Sequence, residues 1–154
     1  MAKTEGIKIL TDNRKARHEY ALLDRFEAGM VLTGPEVKSA RNGKIQLVDG
    51  YASVKNNEVW LHKVHISPYF EAGRENPDSA RRRKLLLHRK EIDRLIGKTR
   101  EQGLTLIPTK VYLKNGLIKC EIALAKGKKI HDKRETLRRR DAEEEARNAI
   151  GRRG

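Results

Sequence analysis

The run Val111-Tyr112-Leu113-Lys114-Asn115-Gly116-Leu117-Ile118-Lys119-Cys120-Glu121-Ile122-Ala123-Leu124 sets the architecture. Val111 and Leu113 lead into Asn115-Gly116, a pair that tolerates positive φ and so suits a two-residue hairpin turn. On the return strand Ile118, Cys120, Ile122 and Leu124 alternate with Leu117, Lys119, Glu121 and Ala123. That period of two marks a strand with one buried face, and it places Cys120 in the core as a small apolar side chain. Upstream, Tyr51 to Ile66 is β-rich and interrupted by Asn56-Asn57, which predicts a second hairpin. Further out, Tyr20, Leu22, Phe26, Ala28, Met30 and Leu32 fall on alternate positions broken at Asp24, the pattern of a long bent strand or two strands joined at a bulge.

Helices fill the gaps between these strands. Thr33-Gly34-Pro35-Glu36 combines a hydroxyl cap, a proline in the first turn and a glutamate three residues after the cap, so a short helix is expected to run to about Arg41 and end at Gly43. Ile92, Leu95 and Ile96 form one apolar helical face, with Gly97 and Gly103 as stops. Several strands with two or three short helices predict a mainly β fold closed into a barrel of the oligonucleotide-binding type, the five-stranded solution common at this size. The domain is expected over residues 13–125. Residues 1–12 read as a flexible lead-in.

The 154-residue chain has a formal net charge of +14, which points to polyanionic partners. Between Arg74 and Arg100 ten Lys and Arg face four acids, centred on Arg81-Arg82-Arg83-Lys84. Such a run is by default a solvated loop, but its self-repulsion is relieved by RNA, and RNA contact is the reading favoured here. Residues 126–154 hold eleven basic and six acidic residues and little to bury, so this basic tail is expected to be disordered when free. Arg139 with Glu143, Arg140 with Glu144 and Glu143 with Arg147 are spaced to support a helix that forms on RNA.

Signals for catalysis and cofactors are missing from the pattern. Gly127-Lys128-Lys129 lacks the spacing and hydroxyl of a phosphate loop. Of the five histidines only His62 and His65 are close in sequence, and the one acidic cluster, Glu143-Glu144-Glu145, sits beside arginines in the tail. No metal, cofactor or enzymatic activity is expected. An apolar or amphipathic membrane segment is not found, and Met1-Ala2-Lys3-Thr4-Glu5 carries no secretory run, so a cytoplasmic location is expected. Two other classes stay in view: a structural ribosomal protein, which would resist high-salt washing of ribosomes, and an RNA-processing enzyme, which a cleavage assay would reveal.

Several segments, in order, carry a family resemblance: Asn13-Arg14-Lys15-Ala16-Arg17-His18-Glu19-Tyr20, Phe26-Glu27-Ala28-Gly29, Glu36-Val37-Lys38-Ser39, Arg83-Lys84-Leu85-Leu86-Leu87-His88, and Ala125-Lys126-Gly127-Lys128-Lys129 running into Asp132-Lys133-Arg134. Across residues 13 to 134 the chain resembles the small protein B family, partners of transfer-messenger RNA in bacterial ribosome rescue. The resemblance implies a barrel that holds the tRNA-like domain of that RNA, with elongation factor Tu in the delivery complex. It also implies a tail that enters the empty mRNA channel and decoding centre of a stalled ribosome, so that protein and RNA together mimic a tRNA.

By the same resemblance Asn13, Arg14, Lys15, Glu27, Lys38, Arg41, Arg83, Lys84 and His88 face the RNA. Lys126, Lys128, Lys129, His131, Asp132, Lys133 and Arg134 face the ribosome, with His131 able to stack on a base. Glu27 stands out, because a carboxylate in a basic protein weakens phosphate attraction unless it accepts hydrogen bonds from a base or sugar. An internal salt bridge with Arg25 or Arg17 is the alternative.

Overall fold

The structure, a computed structural model, describes residues 6–127. In chain order these form β1 (Ile7–Asp12), α1 (Arg14–Glu19), β2 (Tyr20–Met30), α2 (Gly34–Arg41), β3 (Ile45–Gln46), β4 (Tyr51–Lys55), β5 (Glu58–His62), β6 (His65–Ile66), a kinked 3-10 segment (Phe70–Glu75), β7 (Arg83–Leu86), α3 (Arg89–Gln102), β8 (Thr105–Lys114) and β9 (Leu117–Gly127). The disorder and the RNA-induced helix expected of the basic tail concern residues 128–154, which lie outside the described residues.

Both hairpins form where the turn chemistry places them. Asn115 and Gly116 take φ of 50° and 82°, and Asn56 and Asn57 take 54° and 62°, the left-handed pair that matches the twist of the joined strands. Strands then pair in the order β8-β4-β5-β7-β2-β9, and β9 returns to β8, so six strands close into a ring. All ladders are antiparallel. The expected closed β architecture is present, with six strands in the closure rather than five. Phe26, Ala28, Val59, Leu61, Leu85, Val111, Cys120, Ile122 and Leu124 fill the interior, and Leu95 of α3 joins them. Cys120 is fully enclosed, and burial pushes its thiol up to about 12, so it stays protonated and inert.

The bend expected in β2 is a bulge between Leu22 and Arg25. A second bulge, between Pro108 and Lys110, interrupts the β8–β9 ladder. The capping box at Thr33 and Glu36 opens α2 as expected.

Three boundaries are corrected. Residues 7–12 are not a free lead-in: they add β1 to the open edge of β8, with Ile7 opposite Lys114 and Ile9 opposite Tyr112. That pairing draws on residues a hundred positions away and leaves little local pattern. Lys126 and Gly127 belong to β9, opposite Ala21 and Tyr20, so the ladder runs past residue 125. Gly97 lies inside α3, and Gly103, at φ 65°, is the glycine that caps it.

Candidate nucleic-acid interface

Asn13 organises the surface without belonging to it. Its Oδ1 accepts the Ala16 N–H (3.1 Å) and caps α1. Its Nδ2 donates to the carbonyls of Pro108 (2.9 Å) and Leu47 (3.3 Å), and its backbone N–H to that of Thr109 (2.8 Å). The Pro108 and Thr109 carbonyls lie at the bulge in β8. With 4% of its surface exposed and both ends of its amide committed, Asn13 ties α1 to β8 and to the 47–50 turn and offers RNA nothing. This corrects its placement among the RNA-facing residues.

The clamp lifts Arg14 and Lys15 into solvent on the first turn of α1. They border a groove with Gln46 and Val48, and Lys15 also borders a cavity of about 350 Å³ lined by Tyr20, Asp49, Tyr51 and Thr105. Lys38 and Arg41, exposed on α2, line a neighbouring groove with Tyr69. No ion pair to these four cations is present among the described residues. None of the four has to leave an ion pair among the described residues to meet a phosphate.

Arg83 is the opposite case. It is 0% exposed, and its guanidinium donates to Glu36 Oε2 (2.9 Å) and to the carbonyls of Val64 (2.7 Å), Arg81 (2.9 Å) and Ser79 (3.0 Å). Arg81 closes on the same carboxylate from outside, at 2.7 and 2.9 Å. Burial works to push the Glu36 carboxyl up, but the hydrogen bonds from Arg81, the Thr33 N–H and Arg83 outweigh it and hold the group below its ordinary value. Arg83 is therefore an internal tie between β7 and α2, which corrects its assignment as an RNA contact.

Lys84 points outward but is held by Glu58 at 2.8 Å. His88, exposed at the start of α3, donates its backbone N–H to Glu91 (3.0 Å). Glu27, on the outer face of β2, accepts from Tyr112 Oη (2.5 Å) and from Lys114 Nζ (3.2 Å). Those hydrogen bonds, Tyr112 first, outweigh partial burial and hold its carboxyl below the ordinary value. Neither expected salt-bridge partner is used: Arg25 pairs with Glu121 and Arg17 with Asp12. Lys126 is exposed at the end of β9. Lys128, Lys129, His131, Asp132, Lys133 and Arg134 lie outside the described residues.

Sequence reasoning missed an aromatic row on the outer faces of β4 and β5. Tyr51 and His62 stack with ring centroids 4.8 Å apart, and Arg82 lies over Trp60 at 4.6 Å. The signal was present as Trp60 and His62 two residues apart on one strand face across from Tyr51. Among the described residues no three His, Cys, Asp or Glu gather as metal ligands, and no helix is long and apolar enough to cross a membrane.

The model of the SmpB protein family matches residues 10–152. The chain belongs to the SmpB family. The SsrA-binding protein of Desulfitobacterium hafniense (strain DSM 10664 / DCB-2) is 55% identical over 142 residues, covering 92% of this chain and 91% of the relative. That of Halalkalibacterium halodurans is 55% identical over 150 residues, 97% of each. A solved SmpB structure, described as "tmRNA-SmpB: a journey to the center of the bacterial ribosome", superposes with a TM-score of 0.65 at 44% identity, covering 77% of this chain and 83% of that one.

Proposed function

We propose that this chain binds the tRNA-like domain of transfer-messenger RNA and delivers it to stalled ribosomes for trans-translation. The observation that carries the reading is membership of the SmpB family across residues 10–152, with relatives named for binding SsrA. The surface supplies a physical basis. Arg14, Lys15, Lys38 and Arg41 stand exposed and outside any ion pair among the described residues, and they provide the phosphate attraction that any RNA partner requires. Glu27 is held in place by Tyr112 and Lys114, so its carboxylate can accept from a base or sugar without moving.

In this reading the chain performs no reaction; peptide transfer belongs to the ribosome. Elongation factor Tu accompanies the complex, and the protein works in the cytoplasm. Lys126 at the end of β9 and the segment that follows it, with Lys128, Lys129, His131, Asp132, Lys133 and Arg134, occupy the empty mRNA channel and decoding centre, where His131 stacks on a base.

Competition binding tests the reading. The full chain is titrated onto labelled tRNA-like domain with excess bulk tRNA at two salt concentrations. Selective binding that survives both is expected; binding that collapses under both leaves only phosphate attraction and defeats the proposal.

A further inference from the structure

We propose that the outer face of β4, β5 and β7 is a stacking strip for unpaired RNA nucleotides, built from Tyr51, His62, Trp60 and the guanidinium of Arg82. The inference rests on the RNA-binding reading above and adds a second contact, of a different chemistry, to it.

Register puts these residues on one face. Tyr51 lies opposite His62, Ser53 opposite Trp60, and Trp60 opposite Lys84, while Ala52, Val59, Leu61 and Leu85 point into the ring. The Tyr51 and His62 rings are inclined by 19°, and Ser53 Oγ holds His62 Nε2 at 2.8 Å. Arg82 covers Trp60 with a planar cation that can itself stack on a base. Burial, then the nearby Arg82 charge, hold the His62 imidazole below its ordinary value, so the ring is neutral at neutral pH and offers a stacking surface rather than a charge.

Cross-strand aromatic pairs also stabilise sheets. Here, though, Tyr51 remains 39% exposed and its ring continues into the cavity of about 350 Å³ that Lys15 borders, so the strip joins the cationic rim of α1. Rings already held by one another lose little freedom on receiving a base. The charge suits a nucleic acid. Arg82 has no ion pair among the described residues, and of the three acids near the strip and its cavity Glu58 is paired with Lys84. The others, Asp49 and Glu19, line the cavity, where a carboxylate can accept from a base amino group.

The chain's one tryptophan is Trp60, so intrinsic fluorescence reports on the strip directly. The full-length protein is titrated with a short oligoadenylate and with an RNA duplex of matched nucleotide count. Saturable quenching by the oligoadenylate and not by the duplex is expected. Tyr51→Leu, with unchanged circular dichroism, should weaken that binding about tenfold, and Tyr51→Phe should retain it. Equal quenching by both RNAs, or no change in Tyr51→Leu, overturns the strip. Absent quenching with intact selectivity for the tRNA-like domain rejects the strip alone, whereas loss of that selectivity rejects the RNA reading on which it rests.

Discussion

Two groups of cations, close in charge and far apart in environment, divide the labour of this molecule. Arg81 and Arg83 close on one buried carboxylate, Glu36, and Arg83 is wholly enclosed. Arg14, Lys15, Lys38 and Arg41 are exposed on α1 and α2 and form no ion pair among the described residues. Charge in the sequence does not separate the two groups. Burial does: a desolvated guanidinium with all its donors used stabilises a tertiary contact and has nothing left for a phosphate, whereas a solvated cation adds almost nothing to stability and retains its full affinity for RNA.

The contrast breaks most visibly at Arg83. Arg83→Met should cost about 3 kcal/mol in chemical denaturation, because Glu36 loses a buried partner, while the salt dependence of RNA binding by the folded fraction stays unchanged. A shallower salt dependence in that variant would move Arg83 to the RNA side. Next comes Asn13→Ala, which removes a helix cap and two clamping hydrogen bonds. A loss of about 2 kcal/mol is expected in thermal melts, and a stability equal to wild type would reopen a direct RNA role for Asn13.

Acid sharpens the same contrast. The Glu36 carboxyl is held below its ordinary value of 4.5 in the folded protein, so its contribution is fully present above pH 4.5 and is lost as pH falls through the folded value. Denaturant midpoints should therefore drop below that pH, and Glu36→Gln should be less stable at neutral pH with a flatter acid dependence. Smallest in stability are the exposed cations. Lys38→Gln or Arg41→Gln should shift folding by under about 0.5 kcal/mol. Each should lower the salt slope of RNA binding by about one. An unchanged slope for both would remove α2 from the interface.

What the sequence makes legible is what is locally determined. Asn115-Gly116, Asn56-Asn57 and the Thr33–Glu36 box each specify their turn or cap within a few residues, whereas ring closure rests on pairings such as β2 with β9 between strands far apart in the chain. Glu36 is also the instructive failure. As a cap its role is readable from Thr33, but its second role, neutralising Arg83, depends on a residue 47 positions away. Nothing local distinguishes Arg83 from Arg82 or Lys84. The same holds for β1, whose partner strand begins nearly a hundred residues later, and for Asn13, whose cap geometry is local but whose clamp on Pro108 and Leu47 is not. Lys38, Arg41, Arg14 and Lys15 are exposed, as most cations are, so their exposure does not by itself mark an RNA contact.

Reconstituted translation of an mRNA lacking a stop codon, with transfer-messenger RNA and elongation factor Tu supplied, tests the central claim most directly. The full chain should support addition of the encoded tag to the stalled peptide, and a chain ending at Gly127 should bind the tRNA-like domain with undiminished affinity but add no tag. Failure of the full chain to support tagging, with its RNA binding intact, would contradict the account.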